Sequence, residues 1–206
     1  MAKGRQFLPF TPNGEATERQ AIQVKCELGL PAETSVDPYE VLRQVPARLI
    51  DPREFAKGAP ANVRVILFET HRDDWSAIGW GQSPTTKESL ILLNPTHHAR
   101  RQKASLMEEV VHIVLDHPKT ELCLDGNGDG SWVRPYDVAV EDEAFCVGAA
   151  CIIPWPELFT AVSRSSETAS SIAKGYGVSE DYVLYRIKRS GLARVYAKRQ
   201  RGSRSG

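Results

Sequence analysis

No apolar run in the sequence approaches the roughly 20 residues that a bilayer-spanning helix needs. The opening MAKGRQFLPFTPNG has no stretch long enough to be the core of a signal peptide. The expectation is a cytoplasmic protein with no membrane segment. Net charge is missing too: 26 Lys and Arg meet 26 Asp and Glu, so no global field draws the molecule to nucleic acid or lipid. The basic excess is local, in Lys198, Arg199, Arg201 and Arg204. Cysteine is scarce and scattered. Cys26, Cys123, Cys146 and Cys151 form no C-x-x-C pair and read as buried thiols of a reducing compartment. Internal repeats are absent, and the Ser/Arg/Gly tail is the sole low-complexity segment.

The 206 residues suffice for one domain with a real core, or for one domain plus a small helical appendage. Residues 1–14 carry Pro, Gly and Asn and read as an arm. Glu15 to Leu28 reads as a helix ended by Gly29, and Asp37-Pro38 as the cap and first turn of another. A short strand is expected at Ala47–Ile50. The β-branched run VRVILFE at 63–69 predicts a strand, followed by strands at Trp75–Trp80 and Ser89–Leu93 in a small antiparallel sheet. A long helix then runs from about Thr96 to Asp116, stopped by Pro118. After a Gly/Asp-rich loop at 119–136, a helix from about Val138 to Ile153 ends before Pro154, and Pro156 opens the next.

The chemistry-bearing stretch is LMEEVVHIVLDH, Leu106 to His117. It matches the zinc-protease signature H-E-x-x-H with Glu108 in place of the first histidine. On a helix, Glu108 and His112 share one face, four residues apart. Glu109 is rotated by about a quarter turn, from 3.6 residues per turn. In the full signature two histidines hold zinc and the intervening glutamate activates a water. A carboxylate is a legitimate zinc ligand, so the geometry survives the exchange. The more oxygen-rich set also admits manganese or iron, with zinc preferred. A third ligand is offered by VEDEAFCVGAACIIP, where Glu141 and Glu143 precede an apolar helix whose Gly148, Ala149 and Ala150 permit close approach to the helix bearing His112. The bland reading stands beside this one. Adjacent glutamates are commonly a solvated helix face, and a histidine amid Val111, Ile113 and Val114 a hydrogen-bonded core residue.

LMEEVVHIVLDH, followed about thirty residues on by EDEAFCVGAACIIP, resembles the ImmA/IrrE family of metallo-endopeptidases. Those proteins pair an HExxH helix with a later E-A-N-x-F-A-A-x-L-L-M-P helix. The likeness covers roughly residues 17–193 and includes IAKGYGVSEDYVLYRIKRSGL. It implies an α+β, zincin-like fold, helices packed on a small antiparallel sheet, with a metal between two helices. It also implies cleavage or antagonism of repressor proteins. Carried across, His112 matches the second histidine ligand, Glu109 the general base and Glu143 the carboxylate ligand. Glu108 stands where the first histidine would be, and Phe145 replaces the usual asparagine.

Other segments carry weaker signals. DGNGDG at 125–130 matches the first half of an EF-hand calcium loop through Asp125, Asn127, Asp129 and Gly130. Its twelfth position is Tyr136 instead of glutamate, so it reads as a turn. Ala169 to Ser190 has helix-turn-helix spacing through Ala173, Gly177 and Val183. Arg186, Lys188 and Arg189 would face DNA, or merely solvent. His97 and His98 read as caps of the long helix or, swung toward the site, as a spare ligand or oxyanion stabiliser, His117 as a complement to the helix dipole, and His71 as exposed.

The expected organisation is a zincin-like metallopeptidase domain over 15–163, a helix-turn-helix-like appendage over 164–198, and flexible termini at 1–14 and 199–206. The leading function is a zinc-dependent endopeptidase acting on a protein partner such as a repressor, with Glu108, His112 and Glu143 holding the metal and Glu109 as base. The alternatives are a catalytically impaired zincin-fold protein acting by protein–protein binding, and a DNA-binding regulator.

Overall fold

The computed structural model describes residues 7–83, 85–118, 123–124, 132–133, 137–165 and 167–202. The chain is mostly helical, with a small mixed sheet, in agreement with an α+β class. Helix α1 spans Pro12–Glu27. Thr11 caps it by accepting from the Gly14 amide, and Pro12 opens its first turn, so it starts earlier than apolar spacing alone suggests. Gly29, at φ 68°, takes the left-handed conformation just past its end. Helix α2, Pro38–Leu42, is capped by Asp37 as expected.

The sheet comprises β1 (Ala47–Leu49), β2 (Ala77–Gln82) and β3 (Ser89–Leu93), in the order β1-β3-β2. β2 pairs antiparallel with β3, setting Gly79 opposite Ile91. β1 pairs parallel with β3, so the sheet is mixed instead of wholly antiparallel. The strand expected at 63–69 is not formed. After α3 (Pro52–Gly58), α4 (Ala61–Val65) runs into a π-helical turn over Ile66–Thr70. The run was misleading because Val65, Ile66, Leu67 and Phe68 are consecutive apolar residues without strict alternation. That pattern fits one arc of a short helix as well as a strand. Trp75 stabilises the turn by donating its Nε1–H to the Leu67 carbonyl at 2.8 Å and stacking edge-on against Phe68.

Two helices carry the core. α5 spans Ala99–Val114, with His98 as its cap. α6 spans Val138–Ile152, with Asp137 accepting from the amides of Ala139 and Val140. They pack along their length, joining Leu106, Met107, Val110 and Val111 to Ala144, Val147 and Ala150, all fully buried. Each of the larger side chains contributes about 1.5–3 kcal/mol by leaving water. Gly148 sets the approach: a Cβ there would sit 3.4 Å from Met107 Cγ and 3.5 Å from the Glu108 amide nitrogen. β4 (Cys123–Leu124) and β5 (Trp132–Val133) form a two-residue antiparallel ladder between these helices in sequence.

Beyond them come α7 (Trp155–Ser163), α8 (Ala169–Tyr176), α9 (Glu180–Arg189) and α10 (Ala193–Gly202). Gly177, at φ 66°, ends α8, and Ser179 caps α9, so two short helices follow one another across a tight turn. One buried cluster runs from Ala21 through α5 and α6 to Leu192. Cys146 and Cys151 are buried within it or beside it, whereas Cys26 is exposed, contrary to the expectation for it. No single helix among the described residues is long and apolar enough to cross a membrane.

Candidate metal centre

Helical spacing brings Glu108 and His112 onto one face of α5, and the packing of α6 brings Glu141 across to meet them. One ligating atom from each lies within 4.8 Å of the others. His112 Nε2 is 3.5 Å from Glu141 Oε2, and both side chains are largely buried. Glu141 lies in the first turn of α6, where the positive end of the helix dipole favours a carboxylate.

Glu143 is elsewhere. Two residues on a helix are about 200° apart at 3.6 per turn, so Glu141 and Glu143 cannot both face His112. Glu143 Oε2 lies 3.4 Å from His117 Nε2, and its other oxygen accepts from Gln20 of α1. Sequence spacing left the choice between the two glutamates open, since it depends on the rotation of α6 about its axis.

Glu109 is buried and rotated toward β2. A Cβ on Gly79 would sit 2.7 Å from Glu109 Oε2, so the glycine makes room for that carboxylate. Nothing in the helix motif flags Gly79, whose role depends on strand and helix meeting. His117 and Gln20 were likewise missed as site residues. His117's place just before Pro118, at the end of the motif helix, is the one signal that could have found it.

Burial and neighbouring charge shift three groups around the cluster. Burial works against a charged His112, but the carboxylates of Glu141, Glu109 and Glu108 outweigh it and raise the imidazole pKa. His117 is pushed the other way, by burial and by the neighbouring His112, with Glu143 offsetting part. On α9, Tyr182 is held far above the usual phenol value by burial and by the charge of Glu108.

The donor set fits a metal. His112 Nε2 is buried and makes no hydrogen bond, with Glu141 Oε2 facing it at 3.5 Å. Its surroundings are carboxylate oxygens, the companions of imidazole at zinc sites and, in oxygen-rich sets, at manganese and iron sites.

The remaining candidates divide. His98 caps α5, while His97 Nδ1 is buried without a hydrogen bond. His71 is exposed and pairs with Asp74. Arg186 does not face outward: it is buried, pairs with Glu18, and donates from Nε to the Ile153 carbonyl at 3.0 Å. Arg189 pairs with Asp142 of α6, and Lys188 is exposed. The calcium-loop-like residues Asp125, Asn127, Asp129, Gly130 and Tyr136 lie outside the described residues.

Residues 65–188, more than half of the chain, match the family Peptidase_M78, described as the IrrE N-terminal-like domain. No curated protein and no solved structure matches the chain. The match covers both helices that bring Glu108, His112 and Glu141 together, and with it the chain belongs to the ImmA/IrrE family of zincin-like metallopeptidases.

Proposed function

We propose that this chain is a zinc-dependent endopeptidase of narrow range acting on a protein partner, a transcriptional repressor being the leading candidate. In this reading Glu108, His112 and Glu141 hold the metal, and Glu109 is the general base. The observation that carries it is the convergence of three ligating atoms from two helices around a buried imidazole nitrogen that makes no hydrogen bond. Zinc held there would supply Lewis acidity toward a scissile carbonyl and make a water more acidic. Glu109 takes a proton from the attacking water on its carboxylate and returns it to the leaving amine nitrogen. The space above Gly79 lets that carboxylate adopt its position without a clash. Two carboxylates in the set donate more charge than two imidazoles would. A water on zinc held there would be less acidic than at an HExxH centre, and turnover would be slower.

Metal analysis and peptide cleavage test the reading. Zinc-loaded wild type should cut a quenched fluorescent peptide library, and Glu109→Gln should keep the zinc and stop the cutting. Undiminished cleavage by Glu109→Gln, or a wild-type protein that takes up no zinc, overturns it.

A second reading draws on the 3.5 Å approach of His112 to Glu141. A protonated His112 there neutralises part of the carboxylate charge without any metal. The protein would then bind its partner and leave it intact.

A further inference from the structure

We propose that His117 is a positioning residue for the metal-binding imidazole of His112, and that Glu143 acts on the metal site through His117 and not as a ligand. The inference rests on the reading of Glu108, His112 and Glu141 as the metal-holding set.

The chain turns back at the end of α5. Asp116 adopts φ 52°, and the His117 amide donates to the His112 carbonyl at 2.9 Å. This turn lays the His117 ring edge-on against that of His112, with centroids 4.9 Å apart and the two Nδ1 atoms 3.0 Å apart. The His117 side chain is 9% exposed, and its Nε2 lies 3.4 Å from Glu143 Oε2. Gln20 of α1 donates to the other Glu143 oxygen. Four side chains from three segments thus form one line leading away from the metal site.

The direction of that line follows from proton counting. Two neutral imidazole nitrogens at hydrogen-bond distance must divide one proton between them, since one donates and the other accepts. His112 can hold a metal through Nε2 only if a lone pair is there, so its proton sits on Nδ1 and is donated to His117 Nδ1. The His117 proton is therefore on Nε2, the atom that faces the Glu143 carboxylate. The opposite arrangement would put a proton on His112 Nε2 and close the site. Glu143 selects the tautomer of His117, and His117 selects that of His112 and fixes its ring plane. Outer partners of this kind orient metal-binding histidines and raise their basicity, and losing one typically weakens metal binding about 10–100-fold. The line also accounts for an acidic residue two positions from Glu141 that faces away from the ligand cluster.

The test uses the full chain, with zinc affinity read by competition against a chromophoric chelator. His117→Phe should bind zinc about 10–100-fold more weakly, and Glu143→Gln should weaken it by a similar or smaller factor. The double variant should be no weaker than His117→Phe, because Glu143 works through that ring. His117→Asn offers an amide oxygen near the place of Nδ1 and should recover part of the loss. In zinc-loaded protein labelled with 15N-histidine, the two Nδ1 nuclei should show a scalar coupling through their hydrogen bond. Unchanged affinity in His117→Phe, absence of that coupling in wild type, or losses that multiply in the double variant would each overturn the proposal. The last of these outcomes would make Glu143 a ligand in its own right. Wild type that takes up no zinc defeats the underlying reading and this inference together. Zinc-binding wild type with an indifferent His117→Phe defeats this inference alone. Should His117→Phe fail to fold, His117→Asn and Glu143→Gln carry the same comparison.

Discussion

Among the described residues, two pairings of buried acid and base that join helices differ in their surroundings. Glu18 and Arg186 tie α1 to α9. Glu18 accepts from Arg186 and, at 2.7 Å, from the Trp155 amide, while Arg186 also donates to the Ile153 carbonyl. Opposite charges cancel, and of the guanidinium nitrogens Nη1 is the one left buried without a hydrogen bond. The second pairing, His112 with Glu141, ties α5 to α6. Here one imidazole faces Glu108, Glu109 and Glu141, and its inner nitrogen makes no hydrogen bond. Those three carboxylates act together to raise the pKa of the one imidazole. The first pairing sets one cation against one anion; the second gathers carboxylates around an imidazole, with Glu108, His112 and Glu141 close enough to hold a metal ion.

The largest effect should come from breaking the first pairing. Arg186→Leu leaves Glu18 buried without its cation and should lower the unfolding free energy in urea by about 3–5 kcal/mol. A loss below about 1 kcal/mol would mean that the two pairings do not differ in this way. Next in size is the response to zinc. Free zinc at a hundred times its Kd should stabilise wild type by about 2.7 kcal/mol, whereas Glu141→Gln should show no such gain. The gain depends on pH, because zinc needs a neutral His112. His112's pKa is raised, so in the metal-free protein its ion pair stabilises fully below the ordinary value of 6.5 and fades as pH rises through the raised value. The zinc-induced shift in Tm should run the other way and grow over that window. A pH-independent shift would place the zinc elsewhere. The smallest change is local: Gly79→Ala pushes on the Glu109 carboxylate. It should cut kcat about tenfold to a hundredfold while zinc affinity holds, and a parallel fall in zinc affinity would mean that Gly79 shapes the ligand cluster instead.

Several elements were plain in the sequence because their causes are local. The Asp37-Pro38 start, the β3 strand and the stop of α6 before Pro154 each follow from the residues involved. Glu108 and His112 share a face for the same reason, since helical periodicity is a property of the backbone. The segment 63–69 is helical instead of extended; its apolar run suits either period. Arg186 looked like a surface cation on α9, but whether a helical arginine points outward depends on what packs there, and here that is α1.

The sequence by itself determined the pieces: where most of the helices form, that Glu108 and His112 share one face of α5, and which family the chain resembles. Only the tertiary structure decided that Glu141 faces His112 while Glu143 faces His117, that Gly79 leaves room for Glu109, and that the Arg186 charge turns inward. The physical reason is that a residue's place along one helix is set by covalent geometry, whereas the rotation of that helix against its neighbours is set by the burial of side chains contributed from the whole chain.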